Sequence, residues 1–367
     1  MVRQKRKALN IFCDRRTQSA VSAIEKRILS GESGKLGWSQ NVDLEQIAQV
    51  LRKAVDNKVV LPIKAAEYFA ASLQKRQDML TEWRSETPLY FETPTVLTDK
   101  NGVCLLWYLP DLFGNALKND VFRSTKLIEN KLVNAVKLSD HSWEEDEFSR
   151  TQRGWRNDEN LFIDRRARQM VFVGLRNFSF GWRGSGHEWT DDPVKASYSL
   201  RLPKRDVLNT QTWLKRISKM QLTMSLVLSF IHPELYTAGK KVLDYCCDPV
   251  RSPDTCRWAE IWNSIFTALC VISGRRAVPH VDTHGSTRYL DGLVSLGTAR
   301  DAKMVFRELN TEFAYGPGSA LFFSGKGWTH EVPAWTQGER VCYANYMRPE
   351  MLAEHGIIVQ GYGRVLQ

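Results

Sequence analysis

Two histidines and one aspartate in this chain have the types and spacing to hold a divalent cation. They are His280 and Asp282, in Pro279-His280-Val281-Asp282, and His330, in Trp328-Thr329-His330. Side chains two apart on extended backbone leave the same face, so His280 and Asp282 can bind one ion from neighbouring positions. A nitrogen from His330 completes two imidazoles and one carboxylate on one side of that ion. Divalent iron takes this set and keeps its remaining positions open for a co-substrate and for oxygen. A His-x-Asp triplet alone arises often by chance, so its weight comes from the residues downstream of it.

Strands must hold these groups. Gly316-Pro317-Gly318 turns the chain into the apolar run 319–324, which reads as a short strand, and His330 lies just past it. Arg340 then opens Arg340-Val-Cys-Tyr-Ala-Asn-Tyr-Met347, whose β-branched and aromatic content predicts another strand. The guanidinium is a planar, permanently charged fork that grips a carboxylate at two points, as holding the distal carboxylate of 2-oxoglutarate requires. Strand alternation puts Cys342, Ala344 and Tyr346 on the face of Arg340, which favours Tyr346 over Tyr343 as a pocket residue.

The order of these features resembles the Fe(II)/2-oxoglutarate dioxygenases, and within them the fungal TET/JBP-like DNA oxygenases. The resemblance runs from about residue 275 to 347: His-x-Asp, Gly-Pro-Gly, a strand, Ser-Gly, a distal His, then Gly338-Glu-Arg-Val-Cys-Tyr-Ala344. It implies Fe(II) held by His280, Asp282 and His330, and 2-oxoglutarate anchored by Arg340. Many relatives carry a hydroxyl two positions after that arginine, where this chain has Cys342. The implied reaction couples decarboxylation of 2-oxoglutarate to oxidation of a methyl group on a DNA base, 5-methylcytosine or N6-methyladenine. A duplex hides that methyl, so the nucleotide must be flipped out at a cost of a few kcal/mol. Tyr346, Asn345 and His284 are the candidates for the base pocket. Two other readings stand beside this one: an oxygenase of the same chemistry acting on protein or a small molecule, and a non-enzymatic DNA-binding protein on an inactive jelly-roll scaffold.

Composition agrees with a polyanionic partner. The 367 residues carry a formal net charge of +10, with nucleic acid the first candidate and an anionic membrane surface the second; the resemblance implies that the nucleic acid is double-stranded DNA carrying a methylated base. The 43% hydrophobic content allows a sizeable core, and no apolar run reaches membrane-spanning length. Seven cysteines without a Cys-x-x-Cys spacing fit reduced thiols, Cys246, Cys247 and Cys256 among them. The basic run Arg3, Lys5, Arg6 and Lys7 fits a nuclear address, and a nuclear monomer is expected.

Along the chain, Val21, Ile24 and Ile28 recur at helical spacing, and Asp43 caps an amphipathic helix carrying Leu44, Ile47, Leu51 and Val55. A second helical stretch is expected over 64–83. Asn101-Gly102 between 95–99 and 103–109 marks a hairpin. A helix over 121–138 precedes the acidic patch 144–147. Arg150, Arg153, Arg156, Arg165, Arg166 and Arg168, interleaved with Trp155 and Phe162, suit phosphate contact and base stacking. Arg275 and Arg276, just before the metal motif, join Arg153, Arg156, Arg165 and Arg166 as DNA-binding candidates. Residues 169–173 and 178–180 read as strands, and the glycine-rich stretch after them carries His187 as a candidate base or substrate contact. Helices are expected over 206–230 and 255–268. The fold class is α+β: a helical N-terminal region, 1–90, and a dioxygenase domain, 91–367. The latter has a double-stranded β-helix (jelly-roll) core with flanking helices, its metal-binding part at about 265–350. The jelly-roll assignment follows from the resemblance, since periodicity does not separate it from a sandwich.

Overall fold

The computed structural model describes residues 14–30, 42–84, 86–136, 154–163, 169–182 and 194–365. The basic N-terminal run, the acidic patch, Arg150, Arg153, Arg165, Arg166, Arg168 and His187 lie outside the described residues.

The order is α1 (Asp14–Ser30), α2 (Leu44–Asp56), β1 (Lys58–Val60), α3 (Ala65–Ala70), α4 (Leu73–Met79), β2 (Leu89–Phe91), β3 (Thr95–Thr98), β4 (Cys104–Leu109), α5 (Asn115–Ser124), α6 (Glu129–Val136) and β5 (Gly174–Phe178). There follow α7 (Tyr198–Arg201), α8 (Val207–Ile231), α9 (Pro233–Cys246), α10 (Pro253–Trp262), β6 (Ala268–Ser273), β7 (Ala277–His280), β8 (Asp291–Gly297), β9 (Lys303–Phe306), β10 (Thr311–Ala314), β11 (Ala320–Phe323), β12 (His330–Val332), β13 (Arg340–Tyr346) and α11 (Pro349–Glu354). Among the described residues no helix is long and apolar enough to cross a membrane.

The strands form two sheets. The larger runs β1-β3-β4-β11-β8-β13-β6-β5 and the smaller β2-β10-β9-β12-β7. All neighbours are antiparallel except β1 with β3 and β2 with β10. From β6 onward the chain passes back and forth between them, apart from the β9–β10 hairpin within the smaller sheet: β6, β8, β11 and β13 join the larger sheet, and β7, β9, β10 and β12 the smaller.

Residue parity explains the layering. In β11, Ala320 and Phe322 pack with the helices, whereas Leu321 and Phe323 join Met304, Phe306, Phe313 and Val332 between the sheets. A strand covered on both faces reads as a continuous apolar run, which is why 319–324 is legible as a strand but not as alternating. The long helix α8 lies on the outer face of the larger sheet. Its Trp213 donates Nε1–H to the Tyr343 hydroxyl at 3.0 Å, and that hydroxyl also meets Thr125 Oγ1 at 2.8 Å. Burial pushes the Tyr343 hydroxyl up to about 12.

Local signals account for several elements. Asp43 accepts from the Gln46 N–H and so caps α2, and the β3–β4 hairpin turns at Gly102, whose φ is 74°. Other expectations shift. The stretch 64–83 divides into α3 and α4, with Ser72 capping the second. The helix expected over 255–268 stops at Trp262, where Asn263 takes a left-handed conformation, and Ala268 starts β6 instead. The strand expected at 169–173 lies further on, as β5.

Tyr343→Phe is expected to lower unfolding free energy by about 1–3 kcal/mol in urea titrations, because buried Trp213 Nε1 loses its acceptor. Metal binding should be unchanged, since this hydroxyl faces the helices.

Candidate metal centre

β7 and β12 are neighbours in the smaller sheet, and their register sets His280 opposite His330. Between this pair and Val332–Ala277 the register shifts, so that Val278 and Pro279 stand against a single residue of β12. Pro279 thus falls at a bulge on an edge strand, where its missing N–H costs no ladder bond.

His280 Nδ1 lies 2.8 Å from the Val278 carbonyl and His330 Nδ1 lies 3.0 Å from the Trp328 carbonyl. A carbonyl only accepts, so both Nδ1 atoms carry the proton and both Nε2 lone pairs are left for a metal. Each Nε2 is 3.9 Å from an oxygen of Asp282, His280 from Oδ1 and His330 from Oδ2. The three ligand atoms all lie within 4.8 Å of one another. Both imidazoles are buried, while the Asp282 side chain keeps 46% of its surface exposed, so the centre opens on the aspartate side.

The surroundings hold the three groups in place. Phe323 packs edge-on against the His330 ring at 4.9 Å. Glu308 accepts both the N–H and the Oγ1–H of Thr329, at 2.9 and 2.8 Å, fixing the residue before His330. The Asp282 N–H donates to the Gly325 carbonyl at 2.8 Å, and the Gly325 N–H to Asp291 Oδ2 at 3.1 Å. Desolvation, followed by repulsion from His330, lowers His280 to about 3. Desolvation pushes the Asp282 carboxyl up, but His330, His280 and Arg156 together outweigh it and hold it below its ordinary value. Asp291 moves the other way, well above the carboxylate range, through desolvation and then the charge of Asp282.

Arg340 begins β13, opposite Gly297. Gly297 has φ 113°, and a Cβ there would fall 2.2 Å from the Glu339 carbonyl oxygen, so only glycine fits. The guanidinium is 3% exposed and lies over the rings of Tyr315 at 4.6 Å and Trp335 at 5.8 Å. Its Nε and Nη2 are buried without a hydrogen-bond partner, and among the described residues it has no ion-pair partner. The two ring faces and the Tyr315 hydroxyl compensate this buried cation only in part, and a carboxylate ligand would satisfy the donors that remain. Cys342 shares this face, with its Sγ 3.5 Å from the Tyr315 hydroxyl. A hydroxyl, that of Tyr315, thus stands beside position 342.

Tyr346 comes next on the same face, half-buried, its hydroxyl donating to Asn177 Oδ1 at 3.2 Å. The remaining candidates scatter. Asn345 is buried on the opposite face of β13 and donates Nδ2–H to the Gly292 carbonyl at 3.1 Å, so the structure does not bring it to the centre. His284 is exposed in the turn after Asp282. Arg275 is no surface phosphate contact: it is 6% exposed, donates Nη1–H to the Arg156 carbonyl and lies over the Trp155 ring at 4.7 Å. Arg276 is half-buried and donates to the Asn160 carbonyl at 2.9 Å. Arg156 reaches inward to Asp282 Oδ1 at 2.9 Å rather than outward. Trp155, Tyr315, Trp335 and Gly325 are site residues that the sequence did not reveal as such. Tyr315, directly before Gly316-Pro317-Gly318, carried the nearest thing to a signal.

A Cβ at position 325 would lie 2.6 Å from Asp282 Oδ2 and 2.8 Å from Asp291 Oδ2. Gly325→Ala is therefore expected to weaken Co(II) binding at least about tenfold by calorimetry, with far-ultraviolet circular dichroism retained. Unaltered affinity in the folded variant would remove Asp282 from the ligand set.

No family model matches the sequence, and no curated protein matches it. Among solved structures the chain is similar to NgTET1 in complex with 5mC DNA, with a TM-score of 0.41 and 16% sequence identity over 79% of this chain and 92% of that one. A superposition of that quality does not assign a function.

Proposed function

We propose that this protein is an Fe(II)- and 2-oxoglutarate-dependent dioxygenase that oxidises a methyl group on a DNA base. The observation that carries the reading is the meeting of His280, Asp282 and His330, all ligand atoms within 4.8 Å of one another; the buried guanidinium of Arg340, two of whose nitrogens have no hydrogen-bond partner, supports it. The strand alternation from β6 to β13 between two sheets supports a double-stranded β-helix core. In this reading the dioxygenase unit spans 91–367 behind a helical N-terminal region.

The residues divide the work. His280 and His330 offer neutral nitrogens, and Asp282 a charged oxygen, to one face of the ion. Arg340 holds the distal carboxylate of 2-oxoglutarate, with Tyr315 and Trp335 as walls that keep water from the pair. Bound together, iron and 2-oxoglutarate would, with dioxygen, supply hydroxylation of a C–H bond, one oxygen atom going to that carbon and the other to succinate as carbon dioxide is lost. Tyr346 borders the space where the target methyl must lie.

DNA as substrate is supported by the net charge of +10 and by His284, exposed two residues after Asp282, whose side chain is the exposed one of the three ligands. The base would enter there after flipping, stripped of its stacking partners. A nuclear monomer fits this role.

Mass spectrometry of nucleosides, after incubation with duplexes bearing 5-methylcytosine or N6-methyladenine, Fe(II) and 2-oxoglutarate, reads both reaction and substrate. An oxidised base and succinate are expected from the wild type. His280→Ala and Asp282→Ala should abolish succinate while leaving DNA affinity nearly intact, and turnover persisting in both would end the reading. Succinate release indifferent to DNA, with binding insensitive to salt, would point to a protein or small-molecule substrate. Arg340→Lys, which loses the bidentate fork, should raise the half-saturating 2-oxoglutarate concentration about thirtyfold, the equivalent of about 2 kcal/mol.

A further inference from the structure

We propose that Arg156 is a positioning residue of the metal centre, holding Asp282 Oδ1 so that Oδ2 alone binds the ion. The inference rests on the metal reading above and deepens it. Oδ1 stands 3.9 Å from His280 Nε2 and Oδ2 the same distance from His330 Nε2, and what distinguishes the two oxygens is Arg156 Nη2, which donates to Oδ1 at 2.9 Å. A carboxylate with one oxygen engaged by a guanidinium binds a cation through the other.

Coordination number makes this consequential. Two imidazoles and one carboxylate oxygen leave three positions of an octahedron, enough for a chelating 2-oxo acid and for oxygen. A carboxylate binding through both oxygens would take one of the three. Arg156 thus keeps a position open by occupying an oxygen rather than by touching the ion.

The segment bearing Arg156 is fastened to do this. The Trp155 indole is buried against the His280 ring at 4.6 Å, with the guanidinium carbons of Arg275 and Arg156 at 4.7 and 4.9 Å from the same indole. Arg275 Nη1–H reaches the Arg156 carbonyl at 3.0 Å. Further along, the Ile163 N–H donates to the Gly274 carbonyl at 2.6 Å and the Arg276 N–H to the Leu161 carbonyl at 2.8 Å. The segment is therefore stitched to the turn between β6 and β7, and the Arg156 side chain, 32% exposed, is directed inward onto Asp282.

Titration of the full-length protein with Co(II), followed by visible absorption, tests the assignment. Arg156→Ala is expected to lower Co(II) affinity about 10–100-fold and to alter the d–d bands of the bound ion, as Asp282 turns to chelate through both oxygens. Arg156→Lys, which keeps a charge and a donor, should restore part of the affinity. Asn160→Ala, an exposed change on the same segment away from the ligands, should bind as the wild type does. Equal or tighter binding by Arg156→Ala with an unchanged spectrum would overturn the proposal and make Arg156 a mere competitor of the metal. A matching loss in Asn160→Ala would overturn it too, by assigning the effect to the segment rather than the contact. Failure of the wild type to take up Co(II) would overturn the metal reading itself, a result distinct from either.

Discussion

The antiparallel pairing of β7 with β12 governs the chemistry available to this chain. His280 and His330 are fifty positions apart in sequence, and only the register that sets them opposite one another makes them neighbours. A slip of one residue would send each imidazole to the other face of the sheet, because side chains alternate along a strand. The bulge at Val278 and Pro279 re-aims the end of β7, so that Asp282, beyond the strand, returns toward the same point. The orienting bonds to Val278, Trp328 and Gly325 all come from backbone, so the ligands are held by the fold rather than by one another.

Arg340 imposes the second constraint. A guanidinium walled by Tyr315 and Trp335, with two nitrogens unpartnered, would be a poor choice for stability alone. Its burial comes from position, since it opens a central strand of the larger sheet and faces the smaller one. Such a charge is tolerable where the site is completed by an anion.

Sequence legibility tracked the range of the interaction. Local signals were readable: Asp43 as a cap, Asn101-Gly102 as a hairpin turn and the apolar run of β11 each depend on neighbours a few residues away. His280, Asp282 and His330 were legible as a group because their types and order are rare in combination, and the structure brings their ligand atoms within 4.8 Å of one another. What eluded reading was non-local. Arg156 and Arg275 stand among basic residues that resemble a phosphate-binding surface, yet tertiary packing turns both inward, one to Asp282 and the other onto Trp155. Asn345 lies next to Tyr346 in sequence and on the far side of the strand from it, where it serves the backbone of β8. The end of α10 at Trp262 depended on one left-handed residue, Asn263.

Pro279 has a bearing beyond geometry. β7 borders the smaller sheet, and a bordering strand ordinarily offers N–H groups to any other chain that presents an extended segment. Here that row is interrupted by an imino acid one residue from a ligand, so an intruding strand would find a gap in the ladder where it would need a bond. With residues 161–163 already bonded to the turn that leads into β7, this border of the sheet is closed to further strands both at that turn and at Pro279.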